Sequence, residues 1–244
     1  MSARRAAILR ELGLWPLWVP RQAAGATAQG KLEPPAGAAV RSGDDARAAR
    51  IGRMDWAELK QSVRDCTACP LHGARRQTVF GVGDEGADWL FVGEAPGAEE
   101  DARGEPFVGQ AGRLLDNMLT AVGLQRGRDV YIANILKCRP PNNRAPEPGE
   151  AARCEPFLER QIALLRPRLI VALGKTAANR LLHNEDSLGS LRGRLHDLHG
   201  TPLLVTYHPA YLLRTPADKA RSWEDLCLAR ETMQRLKQAG GAPT

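Results

Sequence analysis

Trp89-Leu90-Phe91-Val92-Gly93, followed at once by Glu94-Ala95-Pro96-Gly97, decides the fold. A short, wholly apolar run stopped by glycine is the pattern of a strand covered on both faces. Further apolar runs at Val130–Leu136, Leu169–Leu173 and Pro202–Thr206 read as three more strands. Between these runs the spacing is helical. Gln110–Val122 sets Leu114, Leu115, Met118, Leu119 and Val122 on one face, and Pro148–Leu165 does the same with Phe157, Leu158, Ile162 and Leu165. A further helix starts at Thr176, and Lys219–Gln238 closes the chain. Four buried strands alternating with helices predict an α/β fold with a mostly parallel sheet covered on both faces. In such folds ligands bind where the loops leave the carboxyl ends of the strands.

Outward from that core, the composition excludes several classes. The 244 residues are 43% hydrophobic, enough for a sizeable core, which excludes a wholly disordered chain. No stretch reaches the roughly 18–20 uncharged apolar residues of a membrane span. The net charge of +6 suggests a polyanionic partner, but residues 1–50 hold eight Lys/Arg against four Asp/Glu and the remainder 26 against 24. Nucleic-acid binding by the folded part must therefore come from a site and not from bulk charge. Residues 22–50, rich in Ala, Gly, Pro and Arg, read as a flexible linker, and the domain is expected over 55–240. Leu12–Val19 is too short and wrongly flanked for a signal peptide, so the expected compartment is the cytoplasm.

Two phosphate-loop look-alikes carry little. Gly81-Val-Gly83-Asp-Glu-Gly86 precedes a strand, whereas a dinucleotide fingerprint must follow one, and it reads as a turn. Gly174-Lys175-Thr176 lacks the first glycine of a phosphate loop, since Leu169 stands in its place, although the strand–helix junction could still hold one phosphate. The cysteines say more. Cys66-x-x-Cys69 is a two-thiolate clip, and Cys138 and Cys154 have fifteen residues between them. Four thiolates in a reducing compartment suit zinc or an iron–sulfur cluster, and spacing does not separate the two. Cys227, between Leu226 and Leu228, reads as a small buried hydrophobe.

Each strand end carries polar groups. Glu94 follows the first, Asn134 lies on the second, and His208-Pro-Ala-Tyr-Leu-Leu-Arg214 follows the fourth, with Phe107 in the Gly104-Glu-Pro-Phe-Val-Gly109 loop. A carboxylate, an amide, an aromatic ring and an imidazole would thus meet at one sheet edge. These segments, GEAPG, GEPFVGQAG, NILKCRPPNNR and HPAYLLR, set among four cysteines, together resemble the family 4 (iron–sulfur) uracil-DNA glycosylases. The resemblance spans about Cys66 to Lys237. A related family that is trapped covalently on its product carries an Arg-rich insertion with a histidine, which Arg139–Arg144 lacks.

The resemblance implies the uracil-glycosylase fold (three layers, α/β/α, around a central four-stranded parallel sheet), a [4Fe–4S] cluster on Cys66, Cys69, Cys138 and Cys154, and a monofunctional hydrolase that starts base-excision repair on single- or double-stranded DNA. Glu94 would orient water under the sugar, His208 would stabilise charge on the departing uracil, Asn134 would read its O4 and N3–H, and Phe107 would stack on it. Ala95 joins the uracil contacts. Leu212, four residues after His208, is the candidate wedge for the gap left in the duplex. Arg214, Lys175, Lys137, Arg139 and Arg144 are candidate phosphate contacts. A competing reading keeps the cysteines without the chemistry: an iron–sulfur electron carrier or nucleic-acid-binding module. The chain is expected to be a monomer.

One segment stands apart. Leu9, Leu12, Trp15, Leu17 and Trp18 in residues 1–21 form an aromatic-anchored pattern ahead of the linker. It reads as a peptide for docking on another protein. It weakly resembles the peptide of the polymerase III psi subunit that binds the chi subunit, so a replisome protein such as chi is the expected partner of residues 2–21.

Overall fold

The computed structural model describes residues 36–240. Contacts divide the chain after Ala39, and the unit from Val40 onward is the subject here. Its centre is a six-stranded sheet of β1 (Val82–Gly83), β2 (Trp89–Gly93), β3 (Val130–Asn134), β4 (Leu169–Leu173), β5 (Leu195–Leu198) and β6 (Thr201–Thr206), in the order β1-β3-β2-β4-β6-β5. The inner four strands are parallel, as expected. Two antiparallel edge strands, β1 and β5, are added to them.

The helices are α1 (Ala36–Ile51), α2 (Trp56–Arg64), α3 (Ala98–Arg103), α4 (Gln110–Ala121), α5 (Pro148–Leu165), α6 (Lys175–Leu182), α7 (Leu188–Leu191), α8 (Pro209–Arg214) and α9 (Lys219–Gly240). Side-chain alternation along each strand assigns the two faces. Leu90, Val92, Tyr131, Ala133, Ile170 and Ala172 pack against α2, α5 and α6. Trp89, Phe91, Val130, Ile132, Leu169 and Val171 pack with residues of α4 and α9. These two cores make the three layers.

The expected linker over 22–50 is not extended throughout: α1 covers its described end. Large apolar residues are scarce there, but Ala39, Ala46, Ala48 and Ala49 are strong helix formers. Ile51 at its end is fully buried, and the Arg47 guanidinium lies 4.9 Å above the Phe157 ring. The body therefore begins before Asp55. Asp55 instead caps α2, accepting from the Glu58 N–H while the Glu58 carboxylate accepts from the Asp55 N–H. Residues 1–21, with the expected docking peptide, lie outside the described residues. No described helix is long and apolar enough to cross a membrane.

The chain leaves central β2 for β3 on one side and passes through α5 to β4 on the other. That reversal opens a crevice at the strands' carboxyl ends. Register then fixes its lining. Gly93 is the parallel partner of Asn134, so Glu94 leaves its strand beside the Asn134 side chain. The Ile135 and Leu136 N–H groups donate to the Gly93 and Glu94 carbonyls and extend the pairing past both strand ends.

Candidate active site

A cavity of about 440 Å³ lies in that crevice, and Glu94, Ala95, Phe107, Asn134, His208 and Arg214 all line it. Pro96, Glu100, Tyr211 and Arg144 complete its wall. A larger and more apolar cavity lies elsewhere, between α5, α6 and the β5–β6 turn, and contains none of the expected residues.

Asn134 is buried, and its Oδ1 has no hydrogen-bond partner. A buried amide oxygen left unpaired costs about 1–3 kcal/mol, so an orphan facing a cavity marks a place for a donor. Gly93 makes this approach possible: a Cβ there would strike Asn134 Oδ1 and stand 2.5 Å from Phe107 Cζ.

His208 caps α8, and its Nδ1 accepts from the Ala210 N–H at 3.2 Å. Burial, reinforced by the charge of Arg214 and opposed by Glu100, pushes its pKa down from 6.5 to about 4. The imidazole is thus neutral at pH 7, and with Nδ1 accepting, the proton sits on Nε2. Its ring centre is 5.5 Å from that of Phe107. Gly174, at φ +93°, lets β4 pass behind it, since a Cβ there would lie 3.0 Å from the His208 Cβ.

Phe107 itself has φ +55°, a strained conformation for a bulky side chain. Arg126 holds it there. Its two terminal nitrogens donate to the Pro106 and Phe107 carbonyls at 2.9 and 2.8 Å, and its Nε donates to Asp116. Glu100 steadies the same loop by accepting from the Val108, Gly109 and Gly97 N–H groups. Neither Arg126 nor Glu100 stood out in the sequence. Glu100 has a faint signal, as the fourth residue of a Gly97-x-x-Glu helix start; Arg126 has none.

Three expectations need correction. Leu212 is 1% exposed, because α8 turns it inward, so it cannot be a wedge in this conformation; Leu213 beside it is 40% exposed. Lys137 is buried and donates to the Asn134 carbonyl and Gln161 Oε1 at 2.9 and 2.6 Å, so no phosphate reaches it. Cys227 is partly exposed and not buried. Arg144 lines the cavity but pairs through both terminal nitrogens with Glu150, which offsets its charge. Arg139 donates to Asn143. Lys175 is exposed at the start of α6, outside the cavity wall.

The other four cysteines share one small cavity, with Val63, Arg75, Lys137 and Phe157 among its walls. All four are free thiols. Burial raises the Cys138 pKa and pushes that of Cys154 up to about 12. Buried thiols of this kind ionise only where a cation compensates them.

Comparison with known proteins agrees with this geometry. Residues 80–228 match the family model described as the uracil DNA glycosylase superfamily. The chain belongs to that superfamily. It is similar to three proteins named type-4 uracil-DNA glycosylase. That of Pyrobaculum aerophilum is 43% identical over 72% of this chain and 93% of the relative. That of Thermotoga maritima is 47% identical over 67% and 85%. That of Archaeoglobus fulgidus is 42% identical over 65% and 83%. The fold expected from the family 4 resemblance is the fold observed, and the relatives carry the same family name.

Proposed function

We propose that this protein hydrolyses the N-glycosidic bond of deoxyuridine in DNA, releasing uracil and leaving an abasic site. The unpartnered Oδ1 of Asn134 carries the reading. It stands where the N3–H of a flipped uracil can donate to it, with Phe107 and His208 beside it in one cavity. An electron carrier has no use for such a cavity.

The residues divide the reaction between them. As the bond from C1′ to N1 breaks, its electron pair leaves with the base and collects at O2. The Nε2–H of neutral His208 donates to that oxygen most strongly as the charge develops. Glu94 orients the water that adds to C1′ and stabilises the positive sugar. Phe107 stacks on the ring, Asn134 reads N3–H and O4, and Ala95 lines the base site. Arg214 and Lys175 contact phosphates, and exposed Leu213 replaces Leu212 as the wedge. The substrate is uracil in single- or double-stranded DNA.

Cys66, Cys69, Cys138 and Cys154 would hold a [4Fe–4S] cluster. Four cysteines line one small cavity, a thiolate set that fits such a cluster, and the family 4 resemblance is what favours it over zinc. Cys66, Cys69, Cys138 and Cys154 (on α5) would thereby be tied together, a structural role outside the hydrolysis. Protein purified without oxygen should carry about four irons per chain; a fully active, zinc-loaded preparation would sink the cluster.

The enzyme is proposed to act as a monomer in the cytoplasm, with residues 2–21 docking on a replisome protein such as chi. Calorimetry of that peptide with chi tests the last point: binding that survives Trp15→Ala with Trp18→Ala, or no binding at tens of micromolar (a range typical of weak peptide contacts), overturns it. Excision itself is tested with uracil-, hypoxanthine- and thymine-containing oligonucleotides, cleaved by alkali and resolved on a gel. Loss of the uracil strand alone is expected; no cleavage of it refutes the activity.

A further inference from the structure

Besides Arg153, which lines the cysteine cavity, three cationic residues reach it. Arg75 Nη1 donates to Cys138 Sγ at 3.1 Å and to the Cys66 carbonyl at 2.8 Å. Arg47, on α1, reaches Cys66 Sγ with one terminal nitrogen at 3.7 Å and the Arg153 carbonyl with the other at 2.8 Å. Lys137 gives its backbone N–H to Cys154 Sγ at 3.3 Å, with its buried ammonium held on the Asn134 carbonyl and Gln161. Among the described residues no carboxylate forms an ion pair with any of the three.

Cations buried or half-buried without a carboxylate are costly unless another anion answers them. Four thiolates holding a cluster provide that anion. Hydrogen bonds to sulfur and nearby positive charge are the protein's main means of retaining and tuning such a group.

We propose that Arg47, Arg75 and Lys137 form a cationic cage that balances the charge of the thiolate-bound cluster and fixes its retention and reduction potential. The proposal rests on the cluster reading above. It gives α1 a purpose, because α1 closes the cage through Arg47. It also joins the two sites, since Lys137, whose backbone N–H meets Cys154, has its ammonium hydrogen-bonded to the carbonyl of Asn134.

The test uses full-length protein purified without oxygen, in wild-type form and as Arg47→Gln, Arg75→Gln and Arg47→Lys. Iron release to a chelator is followed by loss of the visible absorption, and the cluster potential by film voltammetry. Each glutamine variant is expected to lose iron about 10–100-fold faster and to show a lower potential, because the reduced cluster carries more negative charge. Arg47→Lys should stay near wild type. Arg47 is partly exposed, so its variants remain folded by circular dichroism even if Arg75→Gln does not. An iron-loaded wild type whose variants keep both the release rate and the potential overturns the cage alone. An iron-free wild type overturns the cluster reading with it.

Discussion

In the proposed reaction His208 donates from Nε2 as a neutral imidazole. With its pKa near 4, the excision rate should be flat from pH 8 down to about pH 5, and its own titration should enter only near pH 4. The same shift acts on stability. The unfolded chain takes up this proton from about pH 6.5 downward and the folded chain only near 4, so stability falls as pH drops through that window. Thermal melts at pH 7 and pH 4.5 should therefore differ more for wild type than for His208→Gln. Equal differences would mean that the imidazole titrates normally.

The adjacent leucines offer a second residue-scale test. Leu212→Ala removes a buried side chain and should cost about 2–5 kcal/mol in a denaturant titration. Leu213→Ala should leave stability within about 0.5 kcal/mol but weaken excision from duplex more than from single strands. The reverse pattern would restore Leu212 as the wedge. Sequence reading reached the segment but not the burial of Leu212, because counting from His208 does not tell which face of a one-turn helix is inward.

At the scale of elements, the inner strands were legible because each is buried on both faces and so reads as an unbroken apolar run. The edge strands were not. β1 is two residues long, and β5, Leu195-His-Asp-Leu198, alternates exposed and half-buried positions with no apolar signature. α1 escaped notice because helix propensity from alanine leaves no hydrophobic stripe. Glu94, Asn134, Phe107 and His208 were legible because strand ends and glycine-rich loops announce a site. Arg126, Glu100, Arg75 and Arg47 were not, since most of their partners are backbone atoms or sulfurs, which no sequence pattern marks. The Phe107 loop tests this layer. Arg126→Ala frees a strained loop, so excision should fall about tenfold to 10²-fold through misplacement of the ring, while melting changes less than in Leu212→Ala. Unchanged single-turnover rates would show that the loop holds itself.

For the molecule as a whole, the excess positive charge lies mostly in residues 1–50. Residues 51–244 are nearly neutral, and Arg144 is paired with Glu150, so few free cations remain around the cavity mouth. Affinity of a protein lacking residues 1–35 for a uracil oligonucleotide should accordingly fall only shallowly with salt, with the slope of a few phosphate contacts. A steep slope would reveal a basic face outside the cavity.

The account stands on one cavity doing one reaction, and single-turnover excision by His208→Ala tests it most directly. The variant should bind uracil-containing DNA as wild type does and release uracil about 10²–10³-fold more slowly. A wild-type excision rate would contradict the assignment of this imidazole, and with it the site.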